Sequence, residues 1–266
     1  MKLDLHNVKA GYGKLTILHD ISVNFVPGEV TALIGQNGCG KSTLLKAIMG
    51  FLDLQGGKIT LDGRDIRSFH RKKLAQLVSY LPQESFCPDY LTLGQLIELS
   101  SYARNSLFSG PSAKDREYFH QVLEIVGLAD KAHLPVNSLS GGQKQRAWLA
   151  LVLAQKTDMI LLDEPVNHLD VKYQYAILKL VRELSCELKK TVIVVLHDIN
   201  LATYFADYVV MVKAGKIHAH GRTQDVVTEE NLQQVFGIPA ELFVHNGHLI
   251  CQPYPDAAQS VRYMEE

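Results

Sequence analysis

Cysteine is scarce: Cys39, Cys87, Cys186 and Cys251 are scattered over 266 residues with no Cys-x-x-Cys pair. Neither a disulfide framework nor a structural zinc site is expected from that spacing. Long apolar runs are missing as well, since stretches such as Val192–Leu196 fall far short of the roughly 20 residues a membrane-spanning helix needs. Neither charge is in excess, with 27 Lys and Arg against 28 Asp and Glu. No overall positive field would therefore gather nucleic acid or anionic lipid, and nucleic acid is not an expected partner. The opening MKLDLHNVKAGYG lacks a basic leader followed by an apolar run and a small-residue cleavage site, which points to the cytosol. There is no internal repeat or low-complexity linker. What the chain does have is a 47% hydrophobic composition, enough for one large domain or a domain with an inserted lobe.

Ile21, Val23 and Phe25 alternate with Ser22 and Asn24, and Ile59 and Leu61 repeat that period of two. An antiparallel sheet is predicted in the N-terminal region. Residues Glu29–Ile34 form a short apolar strand running into glycines, followed by Leu44, Leu45, Ile48 and Met49 at helical spacing. Met159–Leu162 and Val192–Leu196 are apolar without alternation, as strands covered on both faces of a parallel sheet must be. From about Glu84 to Asn137 the strand signal vanishes, while Tyr118, Phe119, Val122, Leu123 and Val126 mark one helix face. This predicts an α/β core with an inserted helical lobe over 84–137. Asn246-Gly247 between two short apolar runs predicts a hairpin within a small C-terminal extension over 225–253. A polar tail over 254–266 carries no signal.

Gly35-Gln36-Asn37-Gly38-Cys39-Gly40-Lys41-Ser42, with Thr43 next, fits G-x-x-x-x-G-K-[ST] after a buried strand and at a helix start. In such a loop successive N–H groups curl around phosphate oxygens, Lys41 reaches the outer phosphates and Ser42 ligates Mg²⁺. A glycine-rich turn with a surface lysine is the bland alternative, and Cys39 would contribute backbone rather than thiol chemistry. Asp163-Glu164 closes the Met159–Leu162 run, at the strand end where ligands collect in open α/β sheets. Asp163 would hold the Mg²⁺ shell and Glu164 would polarise the attacking water; a loop start or helix cap is the alternative. Ser140-Gly141-Gly142-Gln143 before an amphipathic helix offers a second phosphate-seeking helix N-terminus, or by itself only a flexible cap.

These three motifs, in the chain order phosphate loop, Ser140–Gln143 and Asp163-Glu164, make the chain resemble the nucleotide-binding subunits of ABC transporters from about Leu5 to Pro253. The resemblance implies a P-loop NTPase cassette, one ATPase domain over 1–253, with a mainly parallel core sheet, an antiparallel N-terminal subdomain and the helical lobe. It implies that Tyr12 stacks on adenine, that Gln83 links the magnesium site to the membrane subunits, and that His197 is the switch histidine at the γ-phosphate. By spacing alone Tyr12 reads as a turn or core aromatic, Gln83 as a surface residue and His197 as an isolated histidine. Asp170, in Asn167-His168-Leu169-Asp170, matches the loop that addresses the opposite subunit, with an N-cap role equally open. Val166 departs from the threonine of many relatives.

The resemblance further implies that ATP is sandwiched between the P-loop of one copy and Ser140–Gln143 of a second. The partners are then a second copy of the chain or a similar chain, transmembrane permease subunits and, indirectly, an extracytoplasmic substrate-binding protein, at the cytoplasmic face of the inner membrane. Arg146–Gln155, Val195–Ala202 and Val235–Ile238 look like the ATPases of iron(III)-siderophore importers, with haem and vitamin B12 importers as near neighbours. Trp148 is expected in the core of the signature helix, and His245 and His248 are expected in solvent. A soluble ABC ATPase of DNA repair or ribosomes would want a long coiled coil, paired cassettes or a basic surface, none of which is evident. A non-catalytic cassette would show a damaged glutamate or signature. An ABC exporter with separate membrane subunits stays open, and only the siderophore-like segments weigh against it.

Overall fold

The computed structural model describes residues 1–83, 85–104, 110–167 and 169–254; Glu84, His168 and the tail from 255 lie outside the described residues. The chain opens with β1 (Leu3–Tyr12), β2 (Leu15–Phe25) and β3 (Val30–Ile34), then α1 (Lys41–Ile48), β4 (Leu54–Leu61), β5 (Arg64–Asp65), α2 (Arg71–Leu77) and β6 (Val78–Leu81). Helices α3 (Leu93–Glu98), α4 (Ala113–Ile125) and α5 (Gly141–Ala154) follow. The core resumes with β7 (Met159–Leu162), α6 (Val171–Leu188), β8 (Thr191–Val195), α7 (Ile199–Phe205), β9 (Tyr208–Lys213) and β10 (Lys216–Arg222). Last come α8 (Thr223–Val226), α9 (Glu229–Phe236), β11 (Ala240–His245) and β12 (His248–Pro253).

Two larger sheets result. One is antiparallel in the order β2-β1-β4-β5; the other runs β10-β9-β3-β8-β7-β6, parallel except for β10 at its edge. The α/β architecture expected from the sequence is therefore present. Along β2, Ile21, Val23 and Phe25 are buried while Ser22 and Asn24 face solvent, so one face packs and the other is wet. Every residue of β3, β7 and β8 is buried, because both faces of the parallel sheet are covered. The period of two divides these strands cleanly. Ala32, Ile34, Ile160, Leu162, Val192 and Val194 join the core shared with α5, α6 and the helical lobe. Leu33, Met159, Leu161, Ile193 and Val195 join the core shared with α1 and the antiparallel sheet.

Among the described residues between β6 and α5, strand geometry is limited to one isolated bridge, Thr92 to Pro135. Helix α4 buries Phe119, Val122 and Leu123 against this lobe, with Val126 buried just beyond its end. Tyr118 is half-buried, donating to the Leu153 carbonyl at 3.3 Å beneath the Lys156 ammonium. The hairpin of β11 and β12 closes through Asn246 at φ 50° and Gly247 at φ 79°, with His245 opposite His248, the two-residue turn that such a pair favours. At the β9–β10 turn Gly215 sits at φ 73°; its carbonyl accepts from the His19 N–H and its N–H donates to the Cys39 carbonyl. A Cβ there would stand 1.9 Å from the Ile17 carbonyl oxygen, so only glycine lets this turn bind both β2 and the phosphate loop.

Helix α4 starts with a reciprocal cap in which Asp115 N–H donates to Ser112 Oγ and Ser112 N–H to Asp115 Oδ2. Asp115 also meets Lys156 at 3.3 Å and Arg104 at 3.5 Å. The hydrogen bond from the Ser112 hydroxyl, above all, holds its carboxyl below the usual carboxylate range. A depressed folded pKa contributes stability above the unfolded value of about 3.9, and that contribution is lost as pH falls through the folded value. Asp115→Asn is expected to cost about 0.5–1 kcal/mol at neutral pH. Urea denaturation should show the difference fading in acid; a pH-independent difference would contradict it.

Candidate functional site

Four adjacent parallel strands, β3, β8, β7 and β6, deliver their carboxyl ends to one place. The phosphate loop follows β3, His197 follows β8, Asp163-Glu164 follows β7 and Gln83 follows β6. Gly35 leaves β3 at φ 150°, where a Cβ would lie 2.2 Å from the Val212 carbonyl oxygen. Gly40 occupies the N-cap of α1 without a side-chain cap, so the first-turn N–H groups of Lys41, Ser42 and Thr43 stay available to an anion. The buried Lys41 ammonium donates back to the carbonyls of Gly35 (2.8 Å) and Gln36 (2.9 Å). It lies 3.8 Å from Cys39 Sγ, a thiol packed beneath the loop.

Asp163 is 1% exposed. Its carboxylate accepts from Ser42 Oγ at 3.0 Å and from the Tyr80 hydroxyl at 3.3 Å. Burial raises its pKa, the two hydrogen bonds oppose that, and the neighbouring Glu164 charge adds to it. Burial, followed by the Asp163 charge, pushes the Tyr80 phenol well above its usual range, so it remains a donor. Carboxylate and hydroxyl together make a set of hard oxygens of the kind Mg²⁺ takes.

Glu164 sits at φ 55°, a backbone strain of about 1–3 kcal/mol for a residue other than glycine. Its carboxylate is nearly enclosed and gathers three donors. Gln83 Nε2 stands 2.8 Å from Oε2, Asn167 Nδ2 also donates to Oε2, and His197 Nε2 lies 2.6 Å from Oε1. These groups and the phosphate loop line a cavity of about 510 Å³, with Tyr12 at its mouth. Tyr12 is half exposed, and Lys46 Nζ lies 3.5 Å from its hydroxyl.

The structure thus brings Tyr12, Asn37, Gly38, Gly40, Lys41, Ser42, Thr43, Gln83, Glu164 and His197 to one cavity, with Asp163 behind Ser42. It does not bring Ser140–Gln143 there. That segment caps α5, Gln143 N–H donating to Ser140 Oγ and Ser140 N–H to Gln143 Oε1, with Ser140 and Gly141 exposed. Gln36 turns away, donating to the Phe236 carbonyl at 3.1 Å. Asp170 occupies the N-cap of α6 yet makes no side-chain cap bond, so the capping alternative fails for its carboxylate. Val166 is buried in the larger core.

Two residues of the site escaped the sequence reading. Asn167 lies in a turn signalled by Pro165, in which the Asn167 N–H donates to the Glu164 carbonyl at 3.3 Å and so returns its side chain to that acid. Tyr80 reaches Asp163 because β6 pairs with β7, Tyr80 opposite Leu161, a strand order the sequence does not spell out. Trp148 packs half-buried against the larger core, and its outer side lines a surface cleft with Phe86. One expectation needs correction. His248 is stacked on Tyr204 with ring centroids 4.1 Å apart, because the hairpin folds back on α7. Among the described residues, no group of three or more His, Cys, Asp or Glu side chains is disposed to hold a metal, and no helix is long and apolar enough to cross a membrane.

Comparison with known proteins places this geometry. The ABC transporter family profile matches residues 18–167. The "Probable siderophore transport system ATP-binding protein YusV" of Bacillus subtilis (strain 168) is 39% identical over 240 residues, covering 90% of this chain and 87% of that protein. The hemin import ATP-binding protein HmuV of Rhizobium meliloti (strain 1021) is 38% identical over 250 residues, 91% of this chain and 94% of that one. Among solved structures, a dimeric bacterial ABC transporter cassette superposes with a TM-score of 0.75 at 28% identity, covering 83% of this chain and 98% of its own. With its phosphate loop and acidic strand end inside the matched segment, the chain belongs to the ABC transporter family.

Proposed function

We propose that this chain binds and hydrolyses ATP, as one of a pair of identical subunits, to drive import of an iron(III)-siderophore complex through separate membrane subunits. The observation that carries the hydrolytic reading is the convergence of Gln83, Asn167 and His197 on the Glu164 carboxylate beside a phosphate loop with free N–H groups. Lys41 and the α1 N-terminus receive the β- and γ-phosphates, and Tyr12 receives the adenine. Ser42 and Asp163, joined by Gln83, would hold Mg²⁺, which when bound would neutralise charge developing on the phosphates. Glu164 accepts a hydrogen bond from the attacking water and orients it, while His197 fixes both the carboxylate and the γ-phosphate. Phosphoryl transfer asks for positioning and charge stabilisation more than covalent help, and this set supplies both.

Ser140–Gln143 lies outside the chain's own cavity, so its helix start contacts ATP only in a second copy, with Asp170 addressing that copy. The membrane subunits dock beside Gln83, where a cleft of about 420 Å³ is lined by Ser85, Phe86, Lys144, Gln145 and Trp148. Phe86 is 89% and nearby Tyr90 81% exposed, apolar surface that a partner would cover. This puts the chain at the cytoplasmic face of the membrane, with an extracytoplasmic substrate-binding protein acting through the permease. The siderophore reading follows the relatives' cargo, and the hemin relative supports haem as the second reading.

Cells that depend on this gene should lose uptake of one radiolabelled ferric siderophore on Glu164→Gln, with haem and cobalamin uptake kept. Loss of haem uptake with siderophore uptake intact would overturn the cargo. Purified Glu164→Gln should hydrolyse ATP at least about 100-fold more slowly, and near-normal turnover would overturn the mechanism. Phe86→Ala should lower uptake about tenfold while leaving the basal ATPase rate of the isolated chain unchanged; unimpaired uptake would remove the docking site.

A further inference from the structure

The Asn-Gly hairpin has no part in the chemistry above, yet it is bound along the helix that begins beside His197. Asn200 Nδ2 donates to the Cys251 carbonyl at 3.0 Å, and the Cys251 N–H donates to Asn200 Oδ1 at 2.8 Å. The carboxamide thus serves both main-chain groups of Cys251 as a neighbouring strand would. Thr203 Oγ1 donates to the Leu249 carbonyl at 2.9 Å, and the Tyr204 ring stacks on His248. Residues 200, 203 and 204 share one face of α7, and they meet 251, 249 and 248 in reverse order. Strand β12 is therefore laid antiparallel along the length of α7.

His197 stands between two fixed points. On one side Leu196, buried at the end of β8, donates its N–H to the Leu33 carbonyl at 3.2 Å. On the other, Asn200 is held by β12 through its side chain and by Asp198 through its N–H, which donates to Asp198 Oδ1 at 2.7 Å. Only His197, Asp198 and Ile199 bridge the gap, too few residues to absorb a shift of α7 without moving the imidazole. His197 Nε2 is 2.6 Å from Glu164 Oε1, a contact that a displacement of about 1 Å would lose.

We propose that the C-terminal hairpin is a strap that sets the position of His197, with Asn200 and Thr203 as positioning residues for ATP hydrolysis. This rests on His197 acting at the γ-phosphate. The alternative is that the contacts merely cover the outer edge of β12, as edge strands require. The two differ in what they do to turnover, because neither Asn200 nor Thr203 lines the nucleotide cavity.

The test is the ATPase rate of purified full-length chain, with melting temperature and [¹³C-ε1]histidine NMR recorded in parallel. The His197 resonance is assigned by its loss in His197→Gln. Asn200→Ala and Thr203→Val should each lower kcat about three- to tenfold, keep KM for ATP within about twofold, and shift the His197 resonance. Thr203→Ser, which keeps the donor hydroxyl, should restore all three to wild type. A lowered melting temperature with kcat and the His197 resonance unmoved would reduce the strap to edge cover and overturn the proposal. Should Asn200→Ala fail to fold, the Thr203→Val and Thr203→Ser pair decides it. If His197→Gln itself hydrolyses ATP normally, the assignment of His197 falls and the strap falls with it. Slow His197→Gln turnover with normal Thr203→Val turnover defeats the strap alone.

Discussion

The Glu164 carboxylate is the contact on which the arrangement of the site depends. It draws Gln83 from the end of β6, Asn167 from the turn before α6 and His197 from the end of β8. The strained backbone at Glu164 is tolerable because those donors, and the β7 strand behind it, over-determine its position. Asp163 beside it carries the opposite tension. It is a carboxylate deprived of water, compensated by Ser42 and Tyr80 and unsettled by its acidic neighbour, a state that a divalent cation would relieve. Two adjacent acids thus have different surroundings, Asp163 turned to two hydroxyls and Glu164 to nitrogen donors.

The parallel sheet makes such a meeting possible. Gly35, Gln83, Glu164 and His197 are far apart in the chain but leave strands that lie side by side, so their loops open on the same edge. Because β3, β7 and β8 are buried on both faces, a shift in their register would move apolar side chains between two different cores. The strand ends, and the groups they carry, are fixed by that packing. The helical lobe is attached at the β6 end, next to Gln83, so a partner pressing on Phe86 would act on the same segment that binds Glu164. The hairpin at the opposite side bears on α7 and so on His197.

Much of this is legible in the sequence. A phosphate loop after an apolar strand, a short unalternating run ending in two acids, and Asn-Gly between apolar runs are each local patterns with a direct physical cause, and each stands where it was expected. Contacts that depend on which strands become neighbours were not legible. Tyr80 meets Asp163 only because β6 lies beside β7. The position of His248 departs from its expected solvent exposure for a related reason. Helical spacing and turn chemistry state which residues share a face, but not whether a lobe or a hairpin will cover it. Ser140 is a case of a different kind, because its cap is plain in sequence while the proposed contact with ATP lies in a second copy.

The central claim is that the cavity of one chain is half of a nucleotide site, completed by Ser140–Gln143 of a second copy. Sedimentation of purified Glu164→Gln with and without ATP tests it most directly, because slowed hydrolysis should trap the closed pair. The account predicts an ATP-dependent dimer that is lost when Ser140→Arg is added to the same chain. ATP bound at normal affinity by a species that remains monomeric would contradict it.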